Sequence, residues 1–344
     1  MAGGGAHFAS HELARVLSHY AIGVIHQVKP LFVGNRRAPK VVVTSDQGKF
    51  LLKRRPKGKD DLGRVAFAHA VQTYLAEKAF PVAPLVPTCD RNDTILQLNN
   101  HIYEFFRFIA GSRYDGASQA TIDTGRQLAK FHRYLSDFVC RWKPLKKSFH
   151  DSTSVRRHLK TLRTGKVVNE PDKKIRSIAE TLLELYNKSS VHVNGCGYDS
   201  WNEQVVHGDW HPGNMLFSDC RIVAVLDFDL IRIAPAVTDL ANGMLQFSIV
   251  GGRPNPADWP DYLDQAKLVQ FLTGYRQVIK LDENMLNSLL DLMIETMIAE
   301  AVLPVAATGF FGNLSGADFL KMIKRKTEWI DQHREALMGA INQT

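Results

Sequence analysis

Two histidines, an asparagine and three aspartates crowd into one short stretch of this 344-residue chain. They lie in Val205-Val206-His207-Gly208-Asp209-Trp210-His211-Pro212-Gly213-Asn214-Met215-Leu216 and in Val225-Leu226-Asp227-Phe228-Asp229. Short apolar runs alternate there with Gly, Pro and Asp turn signals, so the polar groups sit where short buried strands end. Carboxylates in such places need partners, because burying unpaired charge is costly. A metal ion bound to a phosphate supplies them. His207, Asp209 and His211 also alternate along an extended segment and, as a direct chelate, would suit Zn or Fe. That arrangement leaves Asn214 and Asp227 idle, and His333 is the only later histidine.

The intervals sharpen the phosphate reading. His207-Gly208-Asp209 followed by Asn214 has the His-x-Asp-x-x-x-x-Asn spacing of kinase catalytic loops. Asp227-Phe228 stands where Asp-Phe-Gly follows in kinases, with Asp229 in place of the glycine. The form His-Gly-Asp-x-His-Pro-x-Asn resembles the aminoglycoside phosphotransferase and choline kinase family of small-molecule kinases. The resemblance implies an α+β, two-lobed, protein-kinase-like fold: a small antiparallel-sheet N-lobe and a larger, mainly helical C-lobe. It also implies transfer of the ATP γ-phosphoryl group to a hydroxyl of a small molecule. In that scheme Asp209 serves the acceptor hydroxyl, and His211 donates to the γ-phosphate. Asn214 and Asp227 bind Mg2+, while His207, Asp229 and Asp239 support the loop. The alternative is a kinase-like structural or binding protein without turnover, as in spore-coat relatives.

These residues need a nucleotide lobe to work with. Ser10 to Tyr20 reads as a first helix, with Ser10 as N-cap and Leu13, Val16, Leu17 and Tyr20 on one face. Gly23 to Leu31, Val41 to Thr44 and Lys49 to Arg54 follow as strands of an antiparallel meander. By the resemblance, the turn between the first two strands covers the phosphates. Its single Gly34, with Arg36, replaces a Gly-x-Gly-x-x-Gly loop. Phe50-Leu51-Leu52-Lys53 occupies the Val-Ala-Ile-Lys slot. Period-two alternation puts Leu51 and Lys53 on one face, and the resemblance implies Leu51 against adenine and Lys53 on the phosphates. Leu62 to Ala79 is helical, yet it carries His69 and Gln72 where kinases carry the glutamate that pairs with the lysine. Glu77 comes too near its end, so another group must orient Lys53. Thr94 to Leu98 and Ile102 to Phe106 are strands around an Asn99-Asn100 turn. Arg107 and Ile109 then hold adenine at the hinge, and Leu216 forms its floor.

The lobes divide as residues 1–108 and 109–344, with a variable basic insert over about 141–200. Thr121 to Phe138 is an amphipathic helix whose His132 reads as a hydrogen-bonded core histidine. Thr164 to Pro171 reads as a surface segment. Residues 262–279, 283–302 and 319–341 close the chain as long helices.

Composition bounds the partners. Four scattered cysteines without a Cys-x-x-Cys pair, and no secretory signal, point to reduced thiols in the cytoplasm. No apolar run reaches membrane-spanning length. The net charge of +8 gathers in Arg36, Arg37, Lys40, Lys49, Lys53, Arg54, Arg55, Lys57 and Lys59. No aromatic-interleaved groove accompanies them, so a triphosphate fits better than nucleic acid. The later helices reverse the sign: Asp258, Asp261, Asp264, Asp282, Glu283, Asp291, Glu295 and Glu300 outnumber Lys267, Arg276 and Lys280. A cleft of that sign concentrates a cationic or zwitterionic acceptor.

Overall fold

The structure is a computed structural model that describes residues 6–34, 37–142, 144–146, 148–164 and 173–344. Arg36, and the surface segment expected after Thr164, lie outside these residues. Contacts divide the chain into two units: Met1–Arg113, Asp137–Leu145 and Asn214–Ile231 form one, and Tyr114–Ser136, Lys146–Gly213 and Arg232–Thr344 the other.

In the first unit, alternating apolar residues build a five-stranded antiparallel sheet. Its strands are β1 (Ile25–Pro30), β2 (Lys40–Ser45), β3 (Gly48–Arg54), β4 (Ile95–Leu98) and β5 (His101–Arg107), in the order β1-β2-β3-β5-β4. Asn99 and Asn100 both adopt positive φ, 49° and 60°, the two-residue turn that matches strand twist between β4 and β5. One face carries Val41, Val43, Phe50, Leu52, Tyr103 and Phe105. Helix α1 (Ser10–Leu17) covers it with Val16 and Leu17, and Tyr20 and Ile22 continue the cover. Each fully buried side chain of this size contributes about 1.5–3 kcal/mol. The other face keeps Val42, Leu51 and Lys53 only partly buried. Helix α2 (Leu62–Glu77), N-capped by Asp61, buries Val65, Phe67, Ala68, His69, Val71, Gln72 and Leu75. It is wetted on less of its surface than a single apolar stripe predicts.

The two-residue strand β6 (Leu145–Lys146) falls on the chain boundary between the units, and the first unit also contains a hairpin of β8 (Met215–Ser218) and β9 (Arg221–Val225). The hairpin turns on Asp219 and Cys220, again both at positive φ.

The second unit is helical around a short antiparallel pair, β7 (Glu203–Val206) with β10 (Arg232–Pro235). Its helices are α3 (Ser118–Leu135), α4 (Thr153–Thr164), α5 (Lys173–Gly195), α6 (Ala236–Ser248), α7 (Gln265–Arg276), α8 (Glu283–Thr308), α9 (Gly316–Gln332) and α10 (Arg334–Asn342). Helices α3 and α7 pack backbone to backbone. A Cβ at Gly125 would fall 1.9 Å from the Phe271 carbonyl oxygen, and one at Gly274 1.9 Å from that of Ile122. The close approach sets His132 of α3 against Tyr275 of α7, ring Nδ1 to hydroxyl 2.9 Å. The expected helix over 319–341 is two helices, broken at His333. There the ring Nδ1 takes the Trp329 carbonyl, 2.9 Å away, and the backbone leaves helical angles at φ −105°, ψ 18°. Among the described residues no helix is long and apolar enough to cross a membrane.

Candidate active site

In the first unit the site is built on β3 and β5. Lys53 Nζ lies 3.2 Å from Glu104 Oε2 and 3.9 Å from Asp229 Oδ1. Glu104 is fully buried, and its other oxygen, Oε1, meets His69 Nε2 at 2.9 Å and Arg55 Nε at 3.1 Å. His69 is fixed in turn by Thr94 Oγ1 at 2.9 Å. The helix therefore contributes a histidine that holds the carboxylate, and the carboxylate itself comes from the sheet. Spacing did not single out Glu104, because kinase-type spacing directs attention to the helix. The available signal was a lone carboxylate in Ile102-Tyr103-Glu104-Phe105-Phe106, an otherwise apolar strand where a charge must have partners.

Arg55 joins this carboxylate to the Asp227-Phe228-Asp229 segment. Its Nη2 donates to Asp229 Oδ1 at 2.5 Å and its Nη1 to the Lys59 carbonyl at 2.7 Å. Lys59 Nζ reaches Asp229 Oδ2 at 3.5 Å. Burial alone would raise the carboxyls of Glu104 and Asp229 and lower the Lys53 ammonium. The mutual attraction outweighs it: both carboxyls are held below their ordinary range and Lys53 above its own. Asp229 is thereby a bracket for three cations.

Asn214 and Asp227 stand at one end of the β8–β9 hairpin. Met215 pairs with Val225, and the Leu226 N–H donates to the Asn214 carbonyl at 2.8 Å. Thirteen positions apart in sequence, they become neighbours by register. Asp227 is exposed and left-handed, φ 58° and ψ 72°, a conformation that costs a non-glycine residue on the order of 1 kcal/mol. Strain of this kind persists where surrounding structure imposes it, here the tight turn into the Phe228–Leu230 helical turn. An amide oxygen and a carboxylate are donors that suit a hard cation such as Mg2+. Among the described residues no group of three or more His, Cys, Asp or Glu converges as a chelate, so His207, Asp209 and His211 are not one.

At the hinge the Arg107 N–H donates to Pro84, and its guanidinium to the Gln47 carbonyl while lying over the Phe50 ring. The N–H of Phe108 goes to Lys49 and that of Ser112 to Phe217. Gly111 is a close approach: a Cβ there would meet Leu216 Cβ at 2.8 Å. Leu51 is partly exposed on the Lys53 face, and Gly34, at φ 70°, lies in the turn before β2.

In the second unit the His207-Gly208-Asp209 turn hangs from one carboxylate. Asp239, fully buried on α6, accepts the N–H of His207 at 2.7 Å and of Gly208 at 2.9 Å. His132 Nε2 lies 3.2 Å from the same carboxylate. Burial pushes the Asp239 carboxyl up, and the His132 hydrogen bond and nearby cations bring it below its ordinary value. Gly208 takes φ 76°, which a side chain would resist. His207 and Trp210 are buried edge to face, 5.4 Å apart. Asp209 is partly exposed beyond this anchor. The Gly213 N–H donates to His211 Nδ1 at 3.0 Å, so the neutral ring carries its proton on Nε2, which lies 3.6 Å from Asp209 Oδ2.

Two acids of α8 have different fates. Glu295 is consumed internally: His150 Nδ1 at 2.7 Å, Ser190 Oγ at 2.5 Å and the Asp151 N–H at 3.2 Å all reach it. Among the described residues Glu300 receives only amides, Asn242 Nδ2 and Gln246 Nε2, each at 2.8 Å. Its carboxyl is pushed up to about 7, by burial first and then by the charge of Asp209.

Solved structures resemble this chain in fold. Amicoumacin kinase hAmiN, solved in complex with AMP-PNP, Ca2+ and Ami, shares 15% identity at a TM-score of 0.67, covering 94% of each chain. A microcompartment-associated aminopropanol kinase shares 13% at 0.69, covering 94% of this chain and 97% of that one. Choline kinase from Cryptosporidium parvum Iowa II shares 15% at 0.57, covering 91% and 90%. These neighbours have the protein-kinase-like fold. No curated protein matches the sequence. The model of the phosphotransferase enzyme family matches residues 30–279, a span holding Lys53, Glu104, Asp209, Asn214, Asp227 and Asp239, and the chain belongs to that family.

Proposed function

We propose that the protein is a small-molecule kinase that moves the γ-phosphoryl group of ATP to an acceptor hydroxyl. The observation that carries this reading is the convergence of Lys53, Glu104, Asn214 and Asp227 in one unit, with Asp227 within electrostatic reach of Lys53. Asn214 and Asp227 fit a Mg2+ ion, which when bound would neutralise charge on the phosphates. Lys53, held by Glu104, binds phosphate oxygens. Leu51 and Leu216 line the adenine site. The Ile109 N–H, which has no partner among the described residues, is the hinge donor to adenine, because the Arg107 N–H is already spent on Pro84. Gly34 belongs to the turn over the phosphates.

Asp209 takes the acceptor's hydroxyl proton as the oxygen–phosphorus bond forms and the bond to ADP breaks. His211, whose Nε2 lies 3.6 Å from Asp209 Oδ2, steadies that carboxylate or donates to the transferred group. Asp239 and His207 fix the turn, so Asp209 is presented without reorganisation. A helix without the mid-helix glutamate favours a non-catalytic, kinase-like protein. Glu104 supplies that carboxylate and supports turnover.

The acceptor carries a cationic nitrogen beside its hydroxyl. Glu300, recessed among amides and electrically coupled to Asp209, suits an ammonium, and aminopropanol and choline kinases are among the structural neighbours. Calorimetry of Mg-ATP binding tests the core of the reading. Asp227→Ala is expected to abolish the metal-dependent part of the affinity, and an unchanged titration would contradict it.

A further inference from the structure

Lys53 has a register partner on each side. Across β5 it faces Glu104, and across β2 it faces Lys40. Two lysines directly opposite each other on one face of a sheet repel, and such pairs are destabilising. The charge of Lys53 is met by Glu104 and Asp229. That of Lys40 is not: among the described residues no carboxylate lies within ion-pair distance, and its Nζ donates only to the Val33 carbonyl, 2.9 Å away. Lys40 is half-buried, and a Cβ on Gly34 would stand 3.4 Å from its Nζ. The ammonium therefore sits beside Val33 and Gly34, and Lys40 shares the sheet face that carries Lys53. Burial, then repulsion by Lys53, holds it below the ordinary lysine range, while Asp227 and Asp229 pull the other way. Asp227 and Asp229 thus lie within electrostatic reach of both lysines.

A half-buried ammonium opposed to a second one, with a single carbonyl for company, is an arrangement that a polyanion stabilises. We infer that Lys40 is a second phosphate-binding lysine, which pairs with Lys53 to clamp the triphosphate and replaces the backbone donors of the glycine-rich loop that this chain lacks. The inference rests on the ATP-dependent kinase reading above.

The test is nucleotide affinity, by calorimetry or a fluorescent analogue, for adenosine and ATP with the wild type, Lys40→Met, Lys40→Arg and Lys53→Met. Lost charge-assisted hydrogen bonds predict about tenfold or greater weakening for ATP in Lys40→Met. Adenosine should stay within about twofold, because it offers no phosphate, and Lys40→Arg should restore most of the loss. Weakening of adenosine and ATP alike would make Lys40 a mere tether of the turn and overturn the inference. So would unchanged ATP affinity in Lys40→Met beside a clear loss in Lys53→Met, and the kinase reading would then survive. If the wild type binds no ATP, both fall. Should Lys40→Met fail to fold, Lys40→Gln supplies the same comparison.

Discussion

Lys53 and Glu104 are cross-strand partners in β3 and β5, 3.2 Å apart, so the pair that readies the phosphate lysine is built into one sheet. In kinases the carboxylate rides on a helix that can swing away. Here α2 contributes His69, which only supports the glutamate. Displacing that helix therefore need not unmake the lysine–carboxylate pair.

Glu104→Gln should raise the KM for ATP about tenfold, since a charge-assisted bond to Lys53 is lost. It should also lower stability by about 3 kcal/mol, because Lys53 and Arg55 lose a buried partner. Glu77→Gln, exposed near the end of α2, should change neither. Steady-state kinetics with thermal melts decide it. Equal effects from the two substitutions would mean that the helix supplies the carboxylate after all.

Asp239→Asn should reduce kcat about a hundredfold, the scale of a misplaced catalytic group, and leave ATP affinity within about twofold. The reason is local: one carboxylate accepts both the His207 and the Gly208 N–H. Comparing kcat with nucleotide affinity checks the split. An unaltered kcat would show that the turn holds itself.

The acceptor's KM should depend on Glu300. Its raised carboxyl keeps a proton to about pH 7. An ammonium-bearing acceptor therefore binds better as pH rises through that value and Glu300 ionises. Stability moves the opposite way: the unfolded chain has released this proton by about pH 5, so folding loses ground as pH climbs toward 7. Acceptor KM from pH 6 to 8 should fall in the wild type and stay flat in Glu300→Gln. A flat wild-type profile would remove Glu300 from the acceptor site.

The His150–Glu295 pair gives the stability curve a second slope. Asn194 Nδ2 donates to Asp151 at 3.2 Å, so its oxygen faces His150 Nε2, while Nδ1 faces Glu295. Both ring nitrogens meet acceptors, the pattern of an imidazolium. Burial opposes that charge, and the Glu295 hydrogen bond and charge outweigh it, raising the pKa above its usual value. A raised histidine contributes fully below its unfolded pKa of about 6.5 and loses the contribution as pH rises through the folded value. His150→Gln should cost about 3–5 kcal/mol at pH 6 and less at pH 9. Melts at both values test it, and a cost independent of pH would exclude the charged form.

The legible parts of the sequence were those fixed by local pattern. Alternation gave the meander and the face shared by Leu51 and Lys53. The Asn99-Asn100 turn and the buried, bonded His132 follow from residue chemistry alone. Three features depended on pairings that no local pattern records. Glu104 meets Lys53 only through the β3–β5 register, and Arg55 reads as one more basic residue until Asp229 and Glu104 close on it. Glu295 and Glu300 look alike on α8, five residues apart, yet His150 neutralises one and amides surround the other.

The most direct measurement of the central claim is acceptor-dependent ATP consumption by the wild type and by Asp209→Asn, screened over amino alcohols, amino acids, sugars and aminoglycosides. Turnover is expected with a hydroxyl acceptor that carries a cationic nitrogen. In the variant that turnover should drop by about 10²–10⁴-fold, the scale of a lost general base, with Mg-ATP affinity within a few-fold. Full phosphoryl transfer by Asp209→Asn would contradict it.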